Sequence, residues 1–513
     1  MKNLWVASLC AGGLYWSAMS YAQGPGAPAA GLKPTATTWR VTSETLALPG
    51  GEKMGMVGGD LMVDVSDRLR LGVGSYGAVR GDRGGFITLG LAGEFRQRLS
   101  PNWLAHTGLF VGAGGGRGGT SALTGGGLML RGDAGLTYEV PNVGNFAFGV
   151  SHVQFPSGVI RSTQPYLRYE YPFYSLLSPG WDNPSRPSTA DAASVSSRHN
   201  EFALLARAYK FPAGALRDDG KPQHSSMQLV GVEWLSYLDP HWFIKLESEG
   251  AMGGQSSGYM QILAGAGYRM PLWRGRAIKL HVAGGPAGGS GADTGGGLLL
   301  DAGVALQQNL SERTSLEFSL GEVRAPSSSF RAQSAALKLS YQFGLPAVSA
   351  PPVAWSALGG FDAENLRVRV ANQTYFKASP QWRNRYVDQA VSNLGVQLDY
   401  FVSPQWFVTG QGLAAYAGEA GAYMTGQVGV GVQGQLSRRW FAEGEALVGA
   451  AGGGGLAAGG GLVGQVNGSI GYRWTKQVSV LATAGRIQAL RGDLQANVAG
   501  LSVAYQFNGF IQK

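Results

Sequence analysis

Residues 86–96 read Phe86-Ile87-Thr88-Leu89-Gly90-Leu91-Ala92-Gly93-Glu94-Phe95-Arg96. Ile87, Leu89, Leu91 and Phe95 fall on one face of an extended chain. Thr88, Gly90, Ala92, Glu94 and Arg96 fall on the other. Alternation with a period of two over this length predicts a strand with one apolar face. Soluble strands usually run about five or six residues. A strand of about 9–11 residues is what a tilted membrane-spanning barrel requires.

The same pattern recurs along the chain. In Trp242-Phe243-Ile244-Lys245-Leu246-Glu247-Ser248-Glu249, the charges Lys245, Glu247 and Glu249 share a face. In Trp440-Phe441-Ala442-Glu443-Gly444-Glu445, Glu443 and Glu445 do so. A lipid-facing Arg or Lys at mid-bilayer costs roughly 2–4 kcal/mol, and Asp or Glu somewhat less. These charges are therefore expected inside a barrel. Glu443 and Glu445 are expected to pair with Arg473 or another strand arginine.

Above the strand scale the chain repeats itself three times. Thr124-Gly125-Gly126-Gly127-Leu128, Thr294-Gly295-Gly296-Gly297-Leu298 and Gly459-Gly460-Gly461-Leu462 each follow an earlier glycine cluster. Each repeat closes on an aromatic strand: Tyr169 to Phe173, Tyr341-Gln342-Phe343, and Tyr505-Gln506-Phe507. The period of roughly 150 residues is that of a domain, not of a solenoid rung. Each repeat holds about eight strands. In the third they are expected near 366–376, 391–402, 406–416, 422–436, 440–451, 461–474, 478–488 and 496–507. Short turns such as Ser100-Pro101-Asn102, Asp239-Pro240-His241 and Ser403-Pro404-Gln405 precede Trp103, Trp242 and Trp406. Ser or Asp followed by Pro suits the first two positions of a tight turn. A tryptophan opening the next strand suits an interfacial girdle.

These dyad strands, the girdle and the closing Tyr-x-Phe strands resemble the bacterial outer-membrane β-barrels, above all the small eight-stranded kind. The resemblance implies placement in the outer membrane of a Gram-negative bacterium. It implies contact with outer-membrane lipid and lipopolysaccharide, and with the barrel assembly machinery. Family members usually end on a terminal aromatic; here Phe507 or Phe510 serves, with Lys513 last.

The expected domain plan is a signal peptide at 1–22, a barrel unit at 38–174, a linker at 175–199, a second unit at 200–344, a linker at 345–364 and a third unit at 365–508. Lys2, the apolar run from Leu4 to Met19, and Ser20-Tyr21-Ala22 compose a cleavable export signal. The single cysteine, Cys10, lies within it, so neither disulfides nor thiolate metal sites are expected in the mature chain. The fold class is all-β, three tandem antiparallel barrels of about eight strands. The alternative is one large barrel of about 24 strands with porin-like transport. A soluble sandwich array or propeller fits the long strands and short turns less well. The inward faces are mainly Gly, Ala, Ser and Gln with a few charges. They suit narrow filled barrels better than a wide wet pore. The linkers, rich in Pro, Ser and Ala, are expected to carry few ladder hydrogen bonds.

Composition narrows function. Glycine supplies 82 of 513 residues and charged residues only 14%, far from ordinary globular usage. The basic excess of nine is spread along the chain, without the clustered bases and aromatics of a nucleic-acid surface. Gly112-Ala113-Gly114-Gly115-Gly116-Arg117-Gly118 lacks the following helix and Lys-Ser or Lys-Thr of a phosphate loop. It is expected to be a flexible hairpin tip, as are the tips near 289 and 456. His106, His152, His199, His224, His241 and His281 show no metal-ligand spacing. Ser151-His152 could suggest a lipid-modifying barrel enzyme, but strand neighbours face opposite sides. Its counterparts are Gly321-Glu322 and Gly485-Arg486. No catalytic, cofactor-binding or metal-binding residue is therefore assigned. The hairpin between the seventh and eighth strands repeats closely: Val153 to Arg161, Val323 to Arg331 and Ile487 to Gln495. A structural hairpin explains this; a surface contact is the lesser reading. The expected role is structural, in interaction or envelope assembly, without catalysis.

Overall fold

The computed structural model describes residues 31–116, 123–181, 195–348, 353–384 and 388–512. The expected signal segment, Cys10 and the tip at Arg117 lie outside them. Among the described residues no helix is long and apolar enough to cross a membrane. Strands do the building, and they close into three separate barrels of eight antiparallel strands each.

Barrel 1 runs Thr35–Ala47, Lys53–Asp64, Leu69–Arg80, Ile87–Arg98, Trp103–Gly115, Leu128–Val140, Gly144–Gln154 and Arg161–Ser175. Barrel 2 runs Ser197–Lys210, Ser226–Tyr237, Trp242–Gly253, Met260–Pro271, Arg276–Gly288, Leu298–Asn309, Thr314–Arg324 and Arg331–Pro346. Barrel 3 runs Phe361–Lys377, Val391–Phe401, Trp406–Ala417, Met424–Gln435, Trp440–Gly452, Leu462–Arg473, Val478–Ala489 and Gln495–Gln512. In each, the last strand pairs with the first, so no edge is left open. The single large barrel is thereby excluded as the fold.

Alternation sets inside from outside. On the last strand of barrel 2, Ala332, Ser334, Ala336, Lys338 and Ser340 are buried, while Arg331, Gln333, Leu337, Leu339 and Tyr341 are exposed. Exposed apolar side chains such as Leu167, Phe318 and Leu501 form the outer belt. Trp103, Trp242, Trp406 and Trp440 are exposed where the short turns end, an interfacial girdle. The turns are capped from position i. Ser403 Oγ accepts from the Trp406 amide (3.0 Å) and Asp239 Oδ1 from the Trp242 amide (2.8 Å). The backbone N–H groups of Trp242 and His241 hold the Asp239 carboxyl below its ordinary pKa.

The linkers carry short two-residue pairings and add packing of their own. Ser178–Pro179, in the first linker, pairs with Phe507 and Asn508 at the end of barrel 3. Trp181 then donates from Nε1 to the Leu366 carbonyl (2.9 Å) and packs on Phe401, ring centroids 4.4 Å apart. Gly31–Leu32 pairs with Val353–Ala354 of the second linker, which continues into a single 3-10 turn at Trp355–Leu358. Leu176, Leu358, Phe361 and Phe510 bury one another beneath the barrels. Apolar residues within the Pro-rich stretches supply this packing. Both linkers therefore take part in the fold and are not free tethers.

Candidate functional site

Two features could carry function: the glycine triplets and the barrel interiors. The triplets are packed against neighbouring barrels. Gly125, Gly295 and Gly459 have φ of +55°, +55° and +60°, and Gly127, Gly297 and Gly461 have +98°, +98° and +97°. The same turn is thus built three times in a region closed to most side chains. Each triplet lies on the third strand of another barrel. A Cβ added at Gly297 of barrel 2 would lie 2.3 Å from the Ala78 carbonyl oxygen of barrel 1. At Gly461 of barrel 3 it would lie 2.0 Å from Ala251 O of barrel 2, and at Gly127 of barrel 1 it would lie 2.2 Å from Ala415 O of barrel 3. Gly84 N donates to Gly295 O (2.8 Å) and Gly421 N to Gly125 O (3.0 Å) across two of these joints.

The order of contacts is cyclic: barrel 2 on 1, barrel 3 on 2, barrel 1 on 3. A heterologous contact that returns to its start makes a closed ring, here within one chain. The joints share an apolar core. Ile87, Ala113, Leu394, Ala414 and Met424 are buried together, with Leu89, Met260 and Ile262 against them. The upper part of the Phe86–Arg96 outer face therefore meets protein rather than lipid. Lower down, Trp39 of barrel 1 stacks on Trp234 of barrel 2 (6.0 Å).

The interiors are filled. In barrel 1, Arg40 reaches Asp60 (3.1 Å) and Glu94 (2.6 Å), Arg168 reaches Glu94 (2.8 Å) and Asp133 (3.0 Å), and Arg131 reaches Glu44 (3.0 Å) and Asp133 (2.7 Å). Arg131 also lies over the rings of Tyr76 and Tyr166. In barrel 2, Arg207 pairs with Glu247 (2.9 Å) and Glu249 (2.8 Å), and Lys245 with Glu233 (3.2 Å) and Glu247 (2.8 Å). Lys279 and Lys338 share Glu317, at 2.8 Å each. Lys245, Glu247 and Glu249 point inward together, as their alternation requires.

In barrel 3, Glu443 pairs with Arg367 (2.5 Å) and Glu445 with Arg369 (3.3 Å), and both arginines hold Asp399. The partner is thus another strand arginine. Arg473 sits at the rim, bonded to Gln435 and lying over Phe441. Barrel 3 is otherwise filled by amides: Gln373, Gln411, Gln427 and Gln465 bond in a chain. An eight-stranded barrel is just wide enough for side chains to fill it. Removing one partner of a buried pair costs about 3–5 kcal/mol, because the other charge stays uncompensated.

Ser151 and His152 are held apart. Ser151 faces inward and donates to Glu44 (2.5 Å), while His152 faces outward to the Thr163 hydroxyl (2.7 Å). His106 is buried between Tyr166 and Thr137, and His281 bonds Asp301 (3.2 Å). Among the described residues no cluster of three His, Cys, Asp or Glu is arranged to hold a metal ion.

No protein-family model matches the chain, and no curated protein matches it. Among solved structures, the siderophore receptor PirA from Pseudomonas aeruginosa aligns at 11% identity, covering 94% of this chain and 81% of that one, with a TM-score of 0.26. PirA from Acinetobacter baumannii aligns at 7%, covering 92% and 80%, with a TM-score of 0.27. Pseudomonas aeruginosa OpdQ aligns at 9%, covering 93% and 98%, with a TM-score of 0.20. Scores this low carry no inference about function. The architecture itself is three closed eight-stranded antiparallel β-barrels in tandem, joined into a ring by their own glycine triplets.

Proposed function

We propose that this chain is a non-enzymatic scaffold of the Gram-negative outer membrane, exported on a cleaved signal peptide and inserted by the barrel assembly machinery. The observation that carries the reading is the filling of all three lumens by buried ion-pair and amide networks. A porin needs a wettable channel; these interiors are occupied by side chains. The cyclic joints supply what a scaffold needs, a fixed spacing of three sets of surface loops. The separation of Ser151 from His152 supports the absence of hydrolytic chemistry at that pair.

Purified protein in a planar bilayer tests the reading. Silence is expected at voltages where porins show steps. Large, regular conductance steps would overturn it in favour of transport. One observation favours a narrow second reading, passage of water-sized solutes through barrel 3. Gln427 Nε2, Gln465 Oε1 and Asn467 Nδ2 are buried there without partners among the described residues, and Trp181 packs on Phe401 at its lower end. Small steps that appear only in the Trp181→Ala variant would support it.

A further inference from the structure

The outward face of the seventh and eighth strands of barrel 2 is exposed at Leu316, Phe318, Leu320, Leu337 and Leu339, while the hairpin tip between them holds the glycine triplet, Ser327 Oγ accepting from Gly296 N (3.1 Å). The outward side chains of these two strands follow one gradient. On the seventh strand they run Leu316, Phe318, Leu320, Glu322, Arg324, and on the eighth Tyr341, Leu339, Leu337, Ala335, Gln333, Arg331. Tyr341 and Arg331 are ten residues apart. At about 3.3 Å per residue and a tilt of about 40°, that separation spans roughly 25 Å along the membrane normal. The apolar band of such barrels is about as tall. The tyrosine thus marks one interface and the arginines the other.

At that upper edge the register sets Arg324 directly opposite Arg331. Like charges directly opposite on a sheet face repel. Glu322 makes a direct ion pair with one of them, Arg331 (2.7 Å). Arg324 makes no ion pair among the described residues. Lys210, on the adjoining first strand, is exposed opposite Gln333 and adds a third cation. Three cations therefore lie on a face that is apolar below, with Glu322 and, at the tip, Asp293 as the nearby carboxylates. Barrel 1 carries one basic group in this region, and in barrel 3 the basic groups are Arg486, Arg491 at the tip, and Lys377, which is paired with Asp388. Arg161 lies opposite Gln154, and Arg486 is held by Gln495 (2.7 Å).

We propose that Arg324, Arg331 and Lys210 form a binding site for the phosphate of a membrane lipid, with its acyl chains lying down the face of Leu320 and Leu337. The occupant is a phosphorylated glycolipid of the lipopolysaccharide kind. The site rests on the outer-membrane placement proposed above. Arginine forks grip phosphate oxygens in pairs, and the lipid phosphate would relieve the repulsion between the two guanidinium groups. The apolar run beneath selects a lipid over a free anion.

The test uses the full-length protein extracted in mild detergent, with bound lipid counted by native mass spectrometry as purified lipopolysaccharide is titrated in. The R324Q/R331Q variant should bind on the order of tenfold more weakly, or worse, as expected for losing hydrogen bonds to a charged group. R276Q, an exposed arginine at the opposite end, should bind as wild type. Inorganic phosphate should not displace the lipid. Equal binding by wild type and R324Q/R331Q would overturn the proposal, as would displacement by millimolar phosphate, which marks a free-anion site. If R324Q/R331Q loses heat-modifiable migration, the single variant R324Q replaces it under the same criteria. Membrane fractionation separates the two layers of the argument. Absence from the outer membrane refutes the placement, while equal binding by protein recovered there refutes only this site.

Discussion

At the residue scale, the joint reduces to the missing side chain of a few glycines. Gly296 and Gly126 do not have positive φ, so only space forbids a larger residue there. A Cβ at Gly296 would lie 2.7 Å from Arg80 Cα, and at Gly126 2.6 Å from Tyr416 O, both in another barrel. Overpacking of this kind costs about 1–3 kcal/mol. Gly126→Ala and Gly296→Ala should each lower the melting temperature of the detergent-solubilised protein. Gly132→Ala should not, because nothing lies within 4 Å of its Cβ position. Equal melting of all three would remove the joint from the account. Within the lumens, Arg207→Ala leaves Glu249 without its cation, while Glu247 keeps Lys245. Its expected cost is about 3–5 kcal/mol, read as barrel 2 unfolding at lower temperature in heat-modifiability gels.

The residue scale also shows what the sequence could and could not convey. Inward charges such as Glu247 and Glu443 were legible, because a period of two separates the faces and lipid excludes charge. The triplets were legible as a repeat but not as a joint. Their partners, Ala78, Ala251 and Ala415, are ordinary strand residues. Alternation says which side chains point outward; it does not say whether outward means lipid or another barrel. Ile87 illustrates this: it lies on the outward face yet is fully buried.

At the scale of elements, the strands follow the sequence closely, and the linkers add packing that the sequence does not signal. Turn chemistry and dyad periodicity are local, and the eight strands of barrel 3 start within a few residues of where alternation puts them, apart from a longer first strand. The clasp by Trp181 is a contact between residues some 185 positions apart, and nothing in the local pattern signals it. Trp181→Ala should speed hydrogen exchange at residues 506–508, where the linker strand pairs and Gln506 O accepts from Gly180 N (3.0 Å). Amides in the upper strands should be unaffected. Unchanged exchange at 506–508 would make the clasp incidental.

At the scale of the molecule, each barrel is closed and the ring is closed. Closure removes orphaned backbone groups, which in lipid cost several kcal/mol each. Lipid tails are as apolar as the joint's aliphatic side chains, so a lone barrel should trade protein neighbours for lipid at modest cost. Residues 361–513 behind the signal peptide should therefore fold into a heat-modifiable, protease-resistant barrel. Consistent degradation would show that the ring is required for closure. Both linkers and the short turns lie at one end, which is expected to face the periplasm. A cysteine at the exposed tip residue Leu490 should label on intact cells with an impermeant reagent, and one at Asn102 should not; the reverse would invert the topology. The most direct measurement of the central claim is a cryo-electron-microscopy map of the full-length protein in lipid nanodiscs. The account predicts three adjoining rings of eight strands, each with density filling its lumen, in contact near the glycine triplets. One wide ring of about 24 strands, or three rings that vary freely in position, would contradict it.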